Sequence, residues 1–188
     1  AFQQSAPPGF LAAEKLMEIV FGAGELSLRF LPFVASLVAL FLFHRLLRDL
    51  DLPTAGIVAG TFVFAVLPGL TFSGIELKQY SSDIAISVLL TVLSVRDLGG
   101  GGRPSRALLT AGLLAPWSSN QSVFVVGALG LALLAAALEA GPGRRGSAAL
   151  SIGLLSASAA AATAAAHSVI SAGTMAYLHR FWAEGFLP

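Results

Sequence analysis

Apolar runs close to the length needed to cross a bilayer, separated by short polar stretches, set the pattern of this chain. A spanning helix takes about 20 mostly apolar residues at 1.5 Å of rise each. Stretches near 26–47, 54–72, 83–95, 107–118, 122–138 and 147–171 approach that requirement. The third and fourth are short for a hydrocarbon layer of about 30 Å and need flanking turns or local thinning. The pattern predicts an all-α fold, a polytopic transmembrane helix bundle of about six spans. Alanine from 157 to 166 gives the last span a small-residue surface suited to close helix contact.

Residues 9–21 form a different object. Phe10, Ala13, Met17, Val20 and Phe21 fall on one helical side, and Glu14, Lys15 and Glu18 on another. Too short and too charged to span, the run reads as an extracytoplasmic helix lying in the interface, with Pro7 and Pro8 setting its start. The chain is then one domain over 1–188: an outer loop with its interfacial helix to residue 25, spans over 26–171, and the start of another outer loop over 172–188.

Positive charges test the count, because cytoplasmic loops collect Lys and Arg. Arg45 and Arg48, then Arg96, Arg103 and Arg106, then Arg144 and Arg145 share one side only if every run crosses, the short fourth included. Lys15, Arg29, Lys78 and Arg180 then fall on the outer face.

Composition changes little in this picture and excludes several functions. With 56% hydrophobic and 11% charged residues and a mean hydropathy of +0.82, the chain is far too apolar for a soluble domain of ordinary usage. A net charge of +1 offers no electrostatic footprint for nucleic acid. The lack of cysteine removes disulfides, thiolate metal sites and cysteine nucleophiles. The glycine run 99–102 and Gly141-Pro142-Gly143 read as cytoplasmic turns, since neither follows a strand or carries a P-loop lysine. His167, near the outer end of the last span, has no second ligand at metal spacing and reads as a water-facing or satisfied histidine.

Polar chemistry concentrates in 73–83, on the outer side between the second and third runs. On a helix Glu76, Tyr80 and Asp83 recur at i, i+4 and i+7 and share a face, with Gln79 beside them. Simpler roles stay open. Ser73 and Glu76 fit a capping box, Asp83 could cap the span that follows, and Lys78 could snorkel to the headgroups.

The order of Gln3-Gln4-Ser5-Ala6-Pro7-Pro8-Gly9-Phe10, then Gly24-Glu25-Leu26-Ser27-Leu28-Arg29-Phe30-Leu31-Pro32, then Glu76-Leu77-Lys78-Gln79-Tyr80-Ser81-Ser82-Asp83, resembles bacterial GT-C glycosyltransferases related to protein O-mannosyltransferases and aminoarabinose transferases. Pro116-Trp117-Ser118 and Phe181-Trp182-Ala183-Glu184-Gly185-Phe186-Leu187-Pro188 look like later landmarks of the same kind. The resemblance implies a glycosyltransferase of the bacterial inner membrane with its active site facing outward. Such an enzyme moves a sugar from a polyprenyl-phosphate donor to a lipid, glycan or protein acceptor.

The resemblance implies roles for particular residues. Asp83 matches an acidic position near the donor phosphate or its metal, which makes a divalent ion the candidate cofactor. Lys78 and Arg29 are the phosphate partners, Glu76 and Tyr80 line the same site, and Pro7 and Pro8 match the proline motif of the first outer loop. The family's catalytic base lies earlier in that loop, so it is expected upstream of Ala1 in a longer chain. Relatives often carry Glu-Lys before the prolines where Ser5-Ala6 stand here, a departure that bears on any metal or phosphate contact at that point. Two other classes fit the composition. One is a transporter or flippase of lipid-linked saccharides, although the charges cluster at one face and no inverted repeat is visible. The other is a membrane scaffold, which leaves the 76–83 cluster without a purpose.

Overall fold

The computed structural model describes residues 6–67, 79–99, 104–140 and 142–168, and every regular element among them is an α-helix. In chain order these are α1 (Pro8–Phe21), α2 (Glu25–Asp49), α3 (Thr54–Val66), α4 (Tyr80–Gly99), α5 (Arg106–Ser118), α6 (Ser122–Ala140) and α7 (Pro142–Ser168). Three of them, over Ser27–Asp49, Ser122–Glu139 and Arg145–Ser168, are long and apolar enough to cross a membrane. The apolar α3 is shorter.

The helix ends follow local chemistry. Pro8 occupies the first turn of α1, where its missing N–H and fixed φ cost nothing. Asp51 ends the α2 connection with φ 54, a left-handed conformation that aspartate tolerates better than most residues, and Pro53 precedes α3. Ser105 accepts a hydrogen bond from the Leu108 amide and caps α5. α7 begins at Pro142, earlier than the apolar run from 147 suggests, so Arg145 lies within its first turns instead of in a loop. Proline at a helix start explains the difference: Gly141-Pro142 reads as a breaker, yet Pro142 is the first helical residue.

Side-chain pairs fix the direction of each helix. His44 Nδ1 lies 3.1 Å from Thr61 Oγ1, and the Phe43 and Phe64 rings stack with centroids 4.1 Å apart, so α3 returns along α2. Arg96 Nε donates to Asp49 Oδ2 at 2.6 Å, which sets the last turns of α2 and α4 side by side and makes the two helices parallel. The Ser105 amide donates to Asp97 Oδ2 at 2.6 Å, while at the opposite end Ser119 meets Asp83. The short α5 therefore covers the whole stretch of α4 between its two aspartates, about 21 Å at 1.5 Å per residue. Trp117 Nε1 donates to Ser158 Oγ, which donates to the Leu113 carbonyl, and Leu155 sits on Gly112, so α7 runs parallel to α5.

Packing is by leucine on small residues. Leu90, Leu108, Ala115, Val126, Leu129, Leu133 and Leu155 form the main core among α4 to α7, and Ala39 and Ala85 a second contact between α2 and α4. A Cβ at Gly112 would lie 2.7 Å from Leu155 Cδ2, so the glycine is what admits that leucine. Ala148, Ser151, Leu155, Ala159 and Ala162 form the buried stripe of α7, in line with its alanine-rich sequence. Phe41, Phe62, Phe124, Leu131 and Leu150 are among many large apolar side chains left on the outside. An exterior of that kind suits lipid, where close van der Waals fit instead of water exclusion holds helices together.

α1 differs from its expected orientation. Phe10 is buried and Ala13 and Met17 are half-buried, but Val20 and Phe21 stand exposed together with Leu11, Leu16 and Ile19. Glu14, expected on the polar outside, is only partly exposed, and its Oε1 is buried. The cause lies at the start of the helix, where a Cβ at Gly9 would come 2.6 Å from Ser118 Oγ and 2.7 Å from the Trp117 carbonyl. That close seat brings the start of α1 against the bundle, and Glu14, four residues after the buried Phe10, shares its side of the helix.

Candidate functional site

The two ends of the bundle treat polar groups differently. At the Arg96 end, Asp49 accepts from both Arg45 (3.3 Å) and Arg96 (2.6 Å), and Asp97 accepts the Ser105 amide. At the other end lie Glu14 Oε1, Ser81 Oγ and Asp83 Oδ1, the buried side-chain atoms among the described residues that have no hydrogen-bond partner. A buried polar group without a partner costs about 1–3 kcal/mol, more if charged, so the unpaired end is the one under strain.

Asp83 is the centre of that end. It is 2% exposed and stands in the first turn of α4, where its own amide donates to the Gln79 carbonyl. The helix starts at Tyr80, so Asp83 is already inside it and does not cap it. One carboxylate oxygen takes a hydrogen bond from the Ser119 hydroxyl. Ser119 is held in turn: its Oγ accepts the Ser122 amide at 3.1 Å, and its carbonyl accepts the Ser122 hydroxyl at 2.7 Å. Both serines are fully buried. The turn between α5 and α6 thus grips one oxygen of Asp83 and leaves the other buried without a partner.

The remaining sequence candidates are spread out. Tyr80 is 41% exposed while Asp83, three residues on, is buried, so the two do not present one exposed wall. Arg29 Nη2 is bound to Glu25 Oε1 at 2.6 Å on the outside of α2. Pro7 is fully buried beside the start of α1, and Pro8 begins that helix. Glu76 and Lys78 lie outside the described residues. Sequence reasoning missed Ser119 and Ser122, because isolated serines between apolar runs look like loop residues. Glu14 is partly exposed with its Oε1 buried, and desolvation by the bundle pushes its carboxyl up from the ordinary glutamate range.

Beside this polar end runs an apolar cleft of about 280 Å³. α1 roofs it with Gly9, Phe10 and Ala13, α2 contributes Leu31 and Val38, and α4 contributes Ile86. Ser82 and Ser118, the neighbours of Asp83 and Ser119, stand at its edge. Chemically the site offers one hard carboxylate oxygen, serine hydroxyls and an adjoining apolar channel. No group of three or more His, Cys, Asp or Glu residues lies together among the described residues, so the donor set does not fit an all-protein cage. Comparison with family models, curated proteins and solved structures finds no match for this chain.

Proposed function

We propose that this chain is the membrane domain of a glycosyltransferase that takes a sugar from a polyprenyl phosphate and places it on an acceptor at the outer face of the bacterial inner membrane. The observation that carries the reading is the buried Asp83 carboxylate, half-satisfied by Ser119 and set against an apolar cleft. Such a pairing suits a ligand with a hydrocarbon tail and an anionic head only where a cation stands between that head and the carboxylate, since two anions repel. The motif resemblance supplies the reaction class.

In this reading α2 to α7 cross the membrane in alternating directions, with Asp83 outside and Arg96 inside. The antiparallel course of α5 along α4 and the arginines gathered at one end support that topology. The prenyl chain lies in the cleft beneath α1. Asp83 would serve the donor phosphate through a divalent ion, and Arg29, Lys78, Glu76 and Tyr80 are the further residues that the motif resemblance assigns to that site. Pro7 and Pro8 hold the outer loop against the bundle.

The step is an inverting displacement. The acceptor hydroxyl oxygen bonds to the anomeric carbon, the bond from that carbon to the phosphate oxygen breaks with its electron pair leaving on the phosphate, and a carboxylate takes the hydroxyl proton. Charge grows on the departing phosphate, so cations in a partly dry site stabilise the transition state most. The test is transfer of label from a defined polyprenyl-phosphate sugar in vesicles holding the full-length protein, run beside an assay for flipping of the same lipid. Transfer that falls on Asp83→Asn supports the reading. Flipping without transfer refutes it.

A further inference from the structure

At the Arg96 end, one carboxylate holds two guanidinium groups and leaves the donor fork of each uncommitted. Asp49 Oδ1 accepts Arg45 Nε at 3.3 Å, and Asp49 Oδ2 accepts Arg96 Nε at 2.6 Å. Among the described residues neither arginine has another hydrogen-bond or ion-pair partner, so the terminal nitrogens of both stay unpaired. The two side chains are 50% and 40% exposed. An arginine paired for strength alone meets a carboxylate through two parallel bonds. Sharing one carboxylate between two Nε atoms gives that up and keeps both forks.

Further arginines stand beside this pair. Arg48 is exposed one turn after Arg45, and Arg106 follows Ser105, whose amide donates to Asp97 beside Arg96. The stretch 100–103 between α4 and α5 is three glycines and Arg103, so it brings no carboxylate to the cluster. Asp51 and Glu139 are the other acids of this end, in the turn after α2 and the last turn of α6. On α2 itself Leu37, Phe41, Arg45 and Arg48 recur at i, i+4, i+8 and i+11 and share a face. Leu37 is 52% and Phe41 68% exposed. This face is thus an apolar track of about 12 Å from Leu37 to Arg45 that ends in arginine. Its charged end coincides with the end of the apolar span Ser27–Asp49.

We infer that Asp49 positions Arg45 and Arg96 as a clamp for the phosphate of an anionic membrane phospholipid, with an acyl chain along Phe41 and Leu37. The terminal N–H groups of arginine match phosphate oxygens in pairs, which the single ammonium of lysine cannot do. The track selects a lipid over a soluble phosphate, because head and tail then meet α2 together at headgroup depth. Nothing in this inference depends on the transfer reading.

Lipid contact is read directly by photolabelling. Full-length protein in phosphatidylcholine nanodiscs receives phosphatidylglycerol with a diazirine on its acyl chain, or phosphatidylcholine with the same label, and labelled peptides are mapped. The expected result is phosphatidylglycerol labelling concentrated in 37–48, several-fold above phosphatidylcholine, competed by unlabelled phosphatidylglycerol and not by glycerol 3-phosphate. Asp49→Asn separates positioning from bulk charge, because it makes this end more positive. Attraction by charge alone would strengthen labelling, whereas loss of the clamp weakens it several-fold. Arg45→Lys combined with Arg96→Lys keeps the charge and removes the forks, so it also weakens labelling, and it decides the matter should a parallel thermal melt find Asp49→Asn unfolded. Unchanged or stronger labelling in a folded variant overturns the proposal, as does equal labelling by both lipids or competition by glycerol 3-phosphate.

Discussion

Replacing Asp83 by asparagine separates a functional carboxylate from a structural one. The substitution keeps the shape and keeps an oxygen for the Ser119 hydroxyl, so the hydrogen bond that ties α4 to the turn after α5 survives. What it removes is charge from a side chain that is 2% exposed and has one oxygen without a partner. Burying that oxygen unpaired costs about 1–3 kcal/mol, so the neutral amide should leave stability unchanged or raise it by roughly 1 kcal/mol. If the unpartnered oxygen serves the donor phosphate through a divalent ion, transfer should fall at least a hundredfold, or about 3 kcal/mol of lost transition-state stabilisation at 1.36 kcal/mol per decade. The assay pairs turnover at saturating donor with thermal unfolding of the same full-length preparation. Wild-type turnover with a lowered melting temperature would refute the reasoning and leave Asp83 as a packing residue.

Four further outcomes follow from particular contacts. Gly9→Ala places a methyl group against the Trp117 carbonyl and Ser118 Oγ, so it should lift α1 from the bundle, read as faster amide exchange over 8–21 with 106–118 little changed. Asp49→Asn should destabilise the protein by up to about 1 kcal/mol, with the difference shrinking at high salt, because its arginine partners are largely exposed. Cysteines introduced at Lys15 and Arg145 should react with an outside reagent only at 15, and equal labelling would end the six-span reading. The raised Glu14 carboxyl sets a sign for pH: its protonated form favours the docked α1, so docking should weaken as pH rises through that raised value. Glu14→Gln should hold α1 in place across the range, as measured by amide exchange of α1 between pH 4 and 8.

Much of the helical framework was legible from hydrophobic runs, since α2, α5 and α6 match their expected bounds within about two residues. The shorter third run was harder, because Asp83 and Arg96 made its ends look like loops. The structure continues α4 past both, to 20 residues, burying Asp83 against Ser119 and pairing Arg96 with Asp49. Periodicity could say that α1 is amphipathic but could not place its start, which meets the bundle at the glycine seat on Ser118 far along the chain. The same limit hid the partner of Asp83: a wall drawn through Glu76, Tyr80 and Asp83 assumes that partners come from one helix. Asp83 instead finds its partner across the bundle, and no local pattern marks Ser119 for that role.

The two ends of the bundle differ in what their polar groups contribute to folding. Ion pairs such as Arg45–Asp49–Arg96 cost little at the exposed end and tie α2 to α4, so they have a structural reason of their own. The carboxylate sunk among serines ties α4 to the turn after α5 only at the cost of a desolvation penalty that a neutral residue able to accept the same hydrogen bond would avoid. Ser119 and Ser122 do not abolish that penalty; they orient one oxygen and leave the other without a partner. Glu14 repeats the arrangement from a different helix, with its buried Oε1 unpartnered while Lys15 is already bound to Glu18 at 2.8 Å. A helix bundle stabilised by leucine on small residues can tolerate such groups, since its folding does not depend on them. In the transferase reading, the stability surrendered at this end is what a ligand completing the Asp83 site would recover.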